Sequence, residues 1–173
     1  MILSISKIKH QPGLSQKFDI SAVIPREVAA DFADISVTGL VEFRGSVSNA
    51  GDGLFRLEGE YSAQVGYSCC RCLKPCSKKV SGNIEALFGD SSAAALEDEI
   101  DIRQLDGDNI CPADLIMSDI AFDFPMQPLC REDCKGICPI CGADLNNQAC
   151  SCAGEKIDPR WEKLKDFKFT PDK

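Results

Sequence analysis

The most regular pattern in this chain is Ile35-Ser36-Val37-Thr38-Gly39-Leu40-Val41-Glu42-Phe43, with a second run at Leu54-Phe55-Arg56-Leu57-Glu58-Gly59-Glu60-Tyr61. Apolar and polar residues alternate in both runs, which is typical of strands with one face in the core. The turn-forming cluster from Ser48 to Gly53 lies between them. We therefore predict a β-hairpin over residues 35–67. A phosphate loop at Gly51 and Gly53 is disfavoured because no helix pattern follows.

The neighbouring segments extend this pattern into a sheet. A further strand is expected at about residues 78–88, and a short helix at about 25–32 with Pro25 at its start. The predicted fold class is α+β. A mainly antiparallel β-sheet region with a few helices precedes a C-terminal, Cys-rich lobe like a zinc ribbon. The expected domains are residues 1–129, with a β-rich part at 1–89 and an acidic linker and helix at 90–129, and residues 130–173.

The linker is strongly acidic. Between Asp90 and Asp123 there are ten acids and one base, Arg103, so this stretch carries −9 and accounts for essentially all of the net charge of −8. Residues 111–124 have helical periodicity and end at Pro125. The acidic side chains, including Glu97, Asp98 and Glu99, suit either a solvated surface or a docking surface for a basic partner.

Overall composition excludes several classes of protein. With 173 residues, 44% of them apolar and 27% charged, the chain is an ordinary globular protein. No apolar run reaches the length of a membrane span, and the first eight residues lack the apolar core of a signal peptide. We expect a cytoplasmic protein without membrane contact. An acidic chain of this kind should not coat nucleic acid non-specifically.

Cysteine is the unusual residue: there are 11, against the single His10. Cytosolic thiols stay reduced and the count is odd, so a disulfide framework is disfavoured and metal binding is favoured. We interpret His10 as a surface residue and see no catalytic residues.

The C-terminal cysteines have metal-ligand spacing. Cys138-Pro139-Ile140-Cys141-Gly142 is a zinc knuckle, in which two thiolates meet one ion from a tight turn and a glycine permits the backbone angles that follow. Cys150 and Cys152 supply two more ligands nearby. These four residues predict a closed Zn²⁺ site.

A second knuckle, Cys69 to Cys72, needs two ligands from elsewhere, and Cys130 and Cys134 are available. Two sites, and hence one or two Zn²⁺ per chain, are therefore expected. A rival partition joins Cys69 and Cys72 to the other knuckle, but local closure costs less entropy. Iron–sulfur binding is the alternative metal chemistry. The remaining thiols are interpreted as packing or free: Cys70, Cys76 and Cys111.

Basic residues cluster around the first knuckle with no acid among them, namely Arg71, Lys74, Lys78 and Lys79. They suit either a solubilising strand face or contacts to nucleic-acid phosphates. At the C-terminus, Asp158 and Pro159 predict the start of a helix in which Trp161 packs on the core.

In order along the chain, these features resemble the large ribosomal RNA subunit accumulation protein family, also called YceD-like. The resemblance lies in Cys69-x-Arg71-Cys72-Leu73, the acidic linker, Pro125-Met-Gln-Pro128-Leu-Cys130, the run from Cys134 to Asn146, Cys150-x-Cys152 and Asp158-Pro159-Arg160-Trp161. It implies a role in large-subunit rRNA accumulation and ribosome assembly.

Three functions remain open. The resemblance implies a non-enzymatic factor that binds large-subunit rRNA, its precursor or a basic ribosomal protein. The alternative is a zinc-dependent thiol redox or metal-sensing protein. An enzyme is disfavoured, because a catalytic metal needs an open position and four cysteines close the site. No small-molecule substrate is evident.

Overall fold

The computed structural model describes residues 1–30, 35–89, 102–152 and Arg160, and it confirms the α+β fold class. The elements in chain order are β1 Leu3–Ser4, β2 Ser15–Ala22, α1 Arg26–Ala30, β3 Ser36–Gly51, β4 Leu54–Ser68, β5 Pro75–Gly89, β6 Ile102–Gln104, β7 Asn109–Ile110 and α2 Ala113–Asp123.

One five-stranded sheet dominates the molecule, with strand order β2-β3-β4-β5-β6. Strands β2 to β5 form an antiparallel meander, and β6 pairs in parallel with the end of β5. The predicted hairpin is β3 and β4. Its two-residue turn is Asp52-Gly53, with φ of 51° and 75°, the positive angles that favour an Asp-Gly pair in such turns.

The core lies on one face of this sheet, under α2. Alternating residues of β3 and β4, such as Phe43 and Leu57, are fully buried there with Ile116 and Met117 of α2. Tyr61 of β4 donates a hydrogen bond of 2.7 Å to Asp119 Oδ2 of α2. Strands β1 and β7 pair beside this core as a separate two-stranded sheet.

Several element boundaries differ from the expectations. Strand β5 begins at Pro75, because it pairs with β4 as far as Ser68. Helix α2 begins at Ala113, after Pro112 at the N-cap. The expected loop at 91–96 and the C-terminal helix with Trp161 lie outside the described residues, as do Glu97, Asp98 and Glu99. Within the described ranges, no helix is long and apolar enough to span a membrane.

Candidate metal centres

The first knuckle is the loop that joins β4 to β5. Ser68 and Pro75 are the last paired residues of the two strands, so the six residues from Cys69 to Lys74 form the hairpin end. After α2, the chain runs back to this hairpin and brings Cys130 and Cys134 to the knuckle. The end of the long β4–β5 hairpin is therefore attached to the C-terminal lobe.

The first site consists of Cys69, Cys72, Cys130 and Cys134. Their four sulfur atoms lie within 4.8 Å of one another. The Sγ atoms of Cys69 and Cys134 are 3.8 Å apart, and those of Cys72 and Cys130 are 3.6 Å apart. Only Cys130 is exposed; the other three are buried.

The second site consists of Cys138, Cys141, Cys150 and Cys152, whose sulfur atoms also lie within 4.8 Å of one another. Here Cys138 is buried and Cys141 is exposed. The structure thus brings the eight cysteines together in the two groups predicted from the sequence. The rival grouping of the two knuckles around one ion is not the arrangement observed.

Both groups fit a single tetrahedral ion. Metal–sulfur bonds of about 2.3 Å place the sulfurs of a regular tetrahedron about 3.8 Å apart, close to the distances in the first site. An iron–sulfur cluster holds several irons and sulfides between its cysteines and needs more room than such a group offers. All eleven cysteines are free, so disulfides do not compete for these thiols.

The two knuckles share one backbone pattern. In the first, the N–H of Leu73 bonds to the carbonyl of Cys69 at 2.9 Å; in the second, the N–H of Gly142 bonds to the carbonyl of Cys138 at the same distance. The residue after the second cysteine of each knuckle has a positive φ, 59° at Leu73 and 72° at Gly142. The first knuckle therefore places a leucine where the backbone favours glycine.

Backbone amides stabilise the thiolates in the knuckles. Burial raises the pKa of Cys69, but N–H groups of Cys72, Cys130 and Arg71 outweigh it and lower the pKa to about 6. The N–H groups of Cys141 and Ile140 lower the pKa of Cys138 to about 6 against the opposing effect of burial. Each knuckle thus holds one thiol that ionises readily, and thiolate is the form that binds metal.

The side chain of Asn146 links the two sites, a role that the cysteine spacing did not predict. Its amide nitrogen donates to Cys134 Sγ at 3.5 Å and to Asp144 Oδ1 at 2.8 Å, and its oxygen accepts the N–H of Lys135 at 2.9 Å. Asn146 and Asp144 follow Cys141 in the second knuckle, yet they support a ligand of the first site. The sequence signal that could have indicated this role is the run Asp144-Leu145-Asn146, because Asp and Asn side chains commonly form hydrogen bonds in turns.

The basic cluster does not form one uniform surface. Lys74 forms an ion pair of 2.6 Å with Asp144, and Arg71 donates to the carbonyl of Cys134 at 2.8 Å. The ion pair raises the pKa of Lys74 and lowers that of Asp144 to about 2. Lys78 and Lys79 are exposed and adjacent in β5, so their side chains leave opposite faces of the sheet.

The remaining thiols and the histidine have separate positions. Cys76 packs against the buried cysteines of the first site, whereas Cys70 and Cys111 are exposed. His10 is an exposed residue, as expected.

Comparison with known proteins identifies the family. The profile described as "Large ribosomal RNA subunit accumulation protein YceD" matches residues 57–168, which include all eight cysteines of the two sites. The chain belongs to the YceD family. The sequence resemblance is thereby confirmed, and with it the family's association with large-subunit ribosomal RNA. No solved structure gives a significant match to this YceD chain.

Its relatives are distant in sequence. An uncharacterized protein of Mycobacterium tuberculosis is 26% identical over 166 residues, which cover 95% of this chain and 79% of the relative. Another, from Mycobacterium leprae, is 29% identical over 66% of this chain and 52% of its own length. The chloroplastic "Large ribosomal RNA subunit accumulation protein YCED homolog 1" of Zea mays is 25% identical, over 61% of this chain and 46% of that protein.

Proposed function

We propose that this YceD family member is a non-enzymatic assembly factor that sustains the accumulation of large-subunit rRNA. The observation that carries the proposal is the family match over residues 57–168. The maize relative is also named for accumulation of this RNA. The factor acts in the cytoplasm on the rRNA, its precursor or a ribosomal protein bound to it.

Each four-cysteine site holds one Zn²⁺ in this proposal. All-cysteine ligation by four thiolates closes the coordination sphere, which is the arrangement of structural rather than catalytic zinc. The metal holds the β4–β5 hairpin against the C-terminal lobe through Cys69, Cys72, Cys130 and Cys134. This role for the metal agrees with a binding function rather than catalysis.

Lys78 and Lys79, one on each face of β5, are the phosphate contacts in this proposal. Arg71 and Lys74, predicted for the same role, have polar partners within the lobe, so their replacement would also disturb the metal sites. The two strand lysines stand next to the rigid hairpin end. Each lost phosphate contact should make the negative slope of log affinity against log salt less steep by about 0.7–0.9.

The test of function is complementation of a strain that lacks the gene. Wild-type protein should restore the ratio of large- to small-subunit rRNA, and Lys78→Ala/Lys79→Ala should restore it only partly. Lys7→Ala/Lys17→Ala removes the same charge from exposed positions elsewhere and should behave as wild type. Unchanged rRNA in the deletion strain would refute the proposed function. Full rescue by the Lys78/Lys79 variant would refute the phosphate contacts alone.

A second candidate is a zinc-dependent thiol redox sensor. The supporting observation is that each site has an exposed ligand, Cys130 or Cys141, which an oxidant can reach. Zinc release by hydrogen peroxide at concentrations that leave exposed Cys111 reduced would favour the sensor. Preferential oxidation of Cys111 would favour structural zinc.

A further inference from the structure

A cleft lies between the end of α2 and the first knuckle. It has a volume of about 490 Å³. Its walls come from three segments, with the lining residues Ile35, Ser68, Cys70, Ala121, Phe124, Pro125, Met126 and Pro128. None of these lining residues is charged, and the lining combines apolar side chains with polar groups such as the Ser68 hydroxyl.

Large apolar side chains are exposed at this cleft and at the neighbouring turn of α2. The side chain of Met126 lines it and is fully exposed, at 102%; Phe122, which follows the lining residue Ala121 in α2, is 90% exposed. Single exposed apolar side chains are common, but several that lie together beside a cleft are typical of a contact surface. Met126, Phe122 and the cleft together make an uncharged surface with exposed apolar side chains, which we call the α2 cleft.

The α2 cleft is held in a fixed shape. The ring of Tyr67 packs edge-on against Phe124 with ring centroids 5.2 Å apart, and its hydroxyl donates to the carbonyl of Leu129 at 3.1 Å. The N–H of Cys70 donates to the carbonyl of Pro128 at 2.9 Å. Cys70 lies between two ligands of the first metal site, so the same backbone serves the site and the cleft. A surface ordered before binding loses little entropy when a partner docks.

The charge on the α2 side of the cleft is negative. Helix α2 contains Asp114, Asp119 and Asp123 and has no basic residue in its last turn. Asp119 accepts the hydrogen bond from Tyr61, whereas Asp123 is exposed beside Phe122. The unpaired carbonyls at the C-terminal end of a helix add further negative potential. Cations are therefore attracted to this end of α2, and phosphates are repelled.

We propose that the α2 cleft docks a lysine- or arginine-rich protein segment that carries large apolar side chains. The apolar groups fill the cleft beside Met126 and Phe122, and the basic groups face Asp123 and the end of α2. This inference rests on the proposed function, in which it assigns a basic ribosomal protein of the large subunit to this surface. RNA is disfavoured here because the described lining residues supply no cation for its phosphates.

The test uses the full chain loaded with zinc and labelled with ¹³C at the methionine methyl groups. The probe is a short synthetic peptide in which lysines flank two leucines. The chain has three methionines: Met126 in the cleft, Met117 fully buried in the core, and Met1. The peptide should shift the Met126 methyl signal and leave that of Met117 in place.

Variants then separate the two parts of the surface. Phe122→Ser/Met126→Ser should weaken peptide binding by tenfold or more, because burial of two large apolar groups is lost. Asp123→Lys should weaken it and flatten its salt dependence. Leu40→Ser/Val23→Ser changes two exposed apolar residues elsewhere and should have no effect.

The proposal is overturned if the peptide leaves Met126 unshifted, or if Phe122→Ser/Met126→Ser binds it as well as wild type. It is also overturned if a peptide with glutamates in place of lysines binds equally, or if a uridine oligonucleotide shifts Met126 more strongly than the peptide. Complementation by the wild-type gene tests the proposed function separately, so the cleft can fail while the function stands.

Discussion

Leu73 holds a left-handed backbone at the end of the first knuckle, and its side chain is exposed. Gly142 fills the equivalent position of the second knuckle. A residue with a Cβ in this conformation costs roughly 1–2 kcal/mol relative to the right-handed region, whereas glycine adopts it without strain. The two knuckles therefore provide a matched pair of positions.

The substitution Leu73→Gly should raise the free energy of unfolding by up to about 1 kcal/mol, because the relief of strain exceeds the added freedom of the unfolded chain. Gly142→Leu should lower it by roughly 1–2 kcal/mol. Both values come from urea unfolding at saturating zinc. A loss of stability in Leu73→Gly would show that the leucine side chain makes contacts that outweigh the strain.

The Asn146 side chain should set metal affinity in the first site. Asn146→Ala removes the donor to Cys134 Sγ, and loss of such support to a ligand lowers metal affinity by about 10–100-fold. Competition with a chromophoric chelator measures this. Asn147→Ala is the matched control, because the Asn147 amide donates to Asp144 Oδ2 rather than to a ligand sulfur. Equal affinities in the two variants would contradict the linking role of Asn146.

At the scale of elements, the sheet and α2 are joined where Tyr61 and Asp119 meet over Gly82. A Cβ at Gly82 would clash with Asp119 Oδ2 and would lie 2.8 Å from the Tyr61 ring. Burial and the bond to Asp119 raise the pKa of Tyr61, which keeps its hydroxyl protonated as the donor. The absence of a side chain at Gly82 thus leaves room for the hydrogen bond between Tyr61 and Asp119.

Replacement of Gly82 by alanine should therefore lower the free energy of unfolding by roughly 1–3 kcal/mol, the usual cost of overpacking. Thermal unfolding of the zinc-loaded protein checks it. Ser81→Ala, one residue earlier on the opposite face of β5, is the control and should change stability by less than about 0.5 kcal/mol. Wild-type stability of Gly82→Ala would mean that the side chains of Tyr61 and Asp119 move aside without cost.

The elements were predictable where one physical signal dominates. The alternation in residues 35–61 indicated the hairpin because one face of the sheet is buried and the other is exposed. The pairing of β6 with β5 was not predictable, since a three-residue parallel strand has no periodicity of its own. The length of β5 was underestimated, because Pro75 to Ser77 gain strand structure from pairing with β4 and not from their own sequence pattern.

At the scale of the whole molecule, the metal sites should organise the C-terminal lobe rather than the sheet. The protein should contain two zinc ions, and Cys141→Ser should contain one. That variant should lose amide-exchange protection over residues 138–152, whereas β3 and β4 keep theirs because their core is apolar and separate. Unchanged protection in the lobe would exclude Cys141 as a structural ligand.

The matched variant Cys130→Ser removes a ligand from the first site. It should release the lobe from the hairpin end, with loss of protection at Cys69 to Lys74 as well as in the lobe. If both variants lose amide-exchange protection at the same residues, the two sites act as one unit.

The second site could be predicted from sequence because its ligand spacing is local to the chain. The first site was predicted by elimination, because its knuckle needed two more ligands and Cys130 and Cys134 remained. The support from Asn146 and the ion pair between Lys74 and Asp144 could not be predicted from the sequence. These contacts depend on how the lobe docks on the hairpin, which no local pattern encodes. The basic cluster looked uniform in sequence for the same reason, and docking separates Arg71 and Lys74 from Lys78 and Lys79.

The wide separation of the first site's ligands has a consequence for synthesis of the chain on the ribosome. Cys72 and Cys130 are 58 residues apart, whereas all ligands of the second site come from residues 138–152. Closing the longer loop costs about 1.5 kcal/mol more in chain entropy than closing the short gap between Cys141 and Cys150. The nascent chain should therefore carry the first knuckle as a half-site until Cys130 and Cys134 have emerged. The sheet can form before then, so metal capture at the first site should follow folding of the sheet, while the ligands of the second site emerge later still.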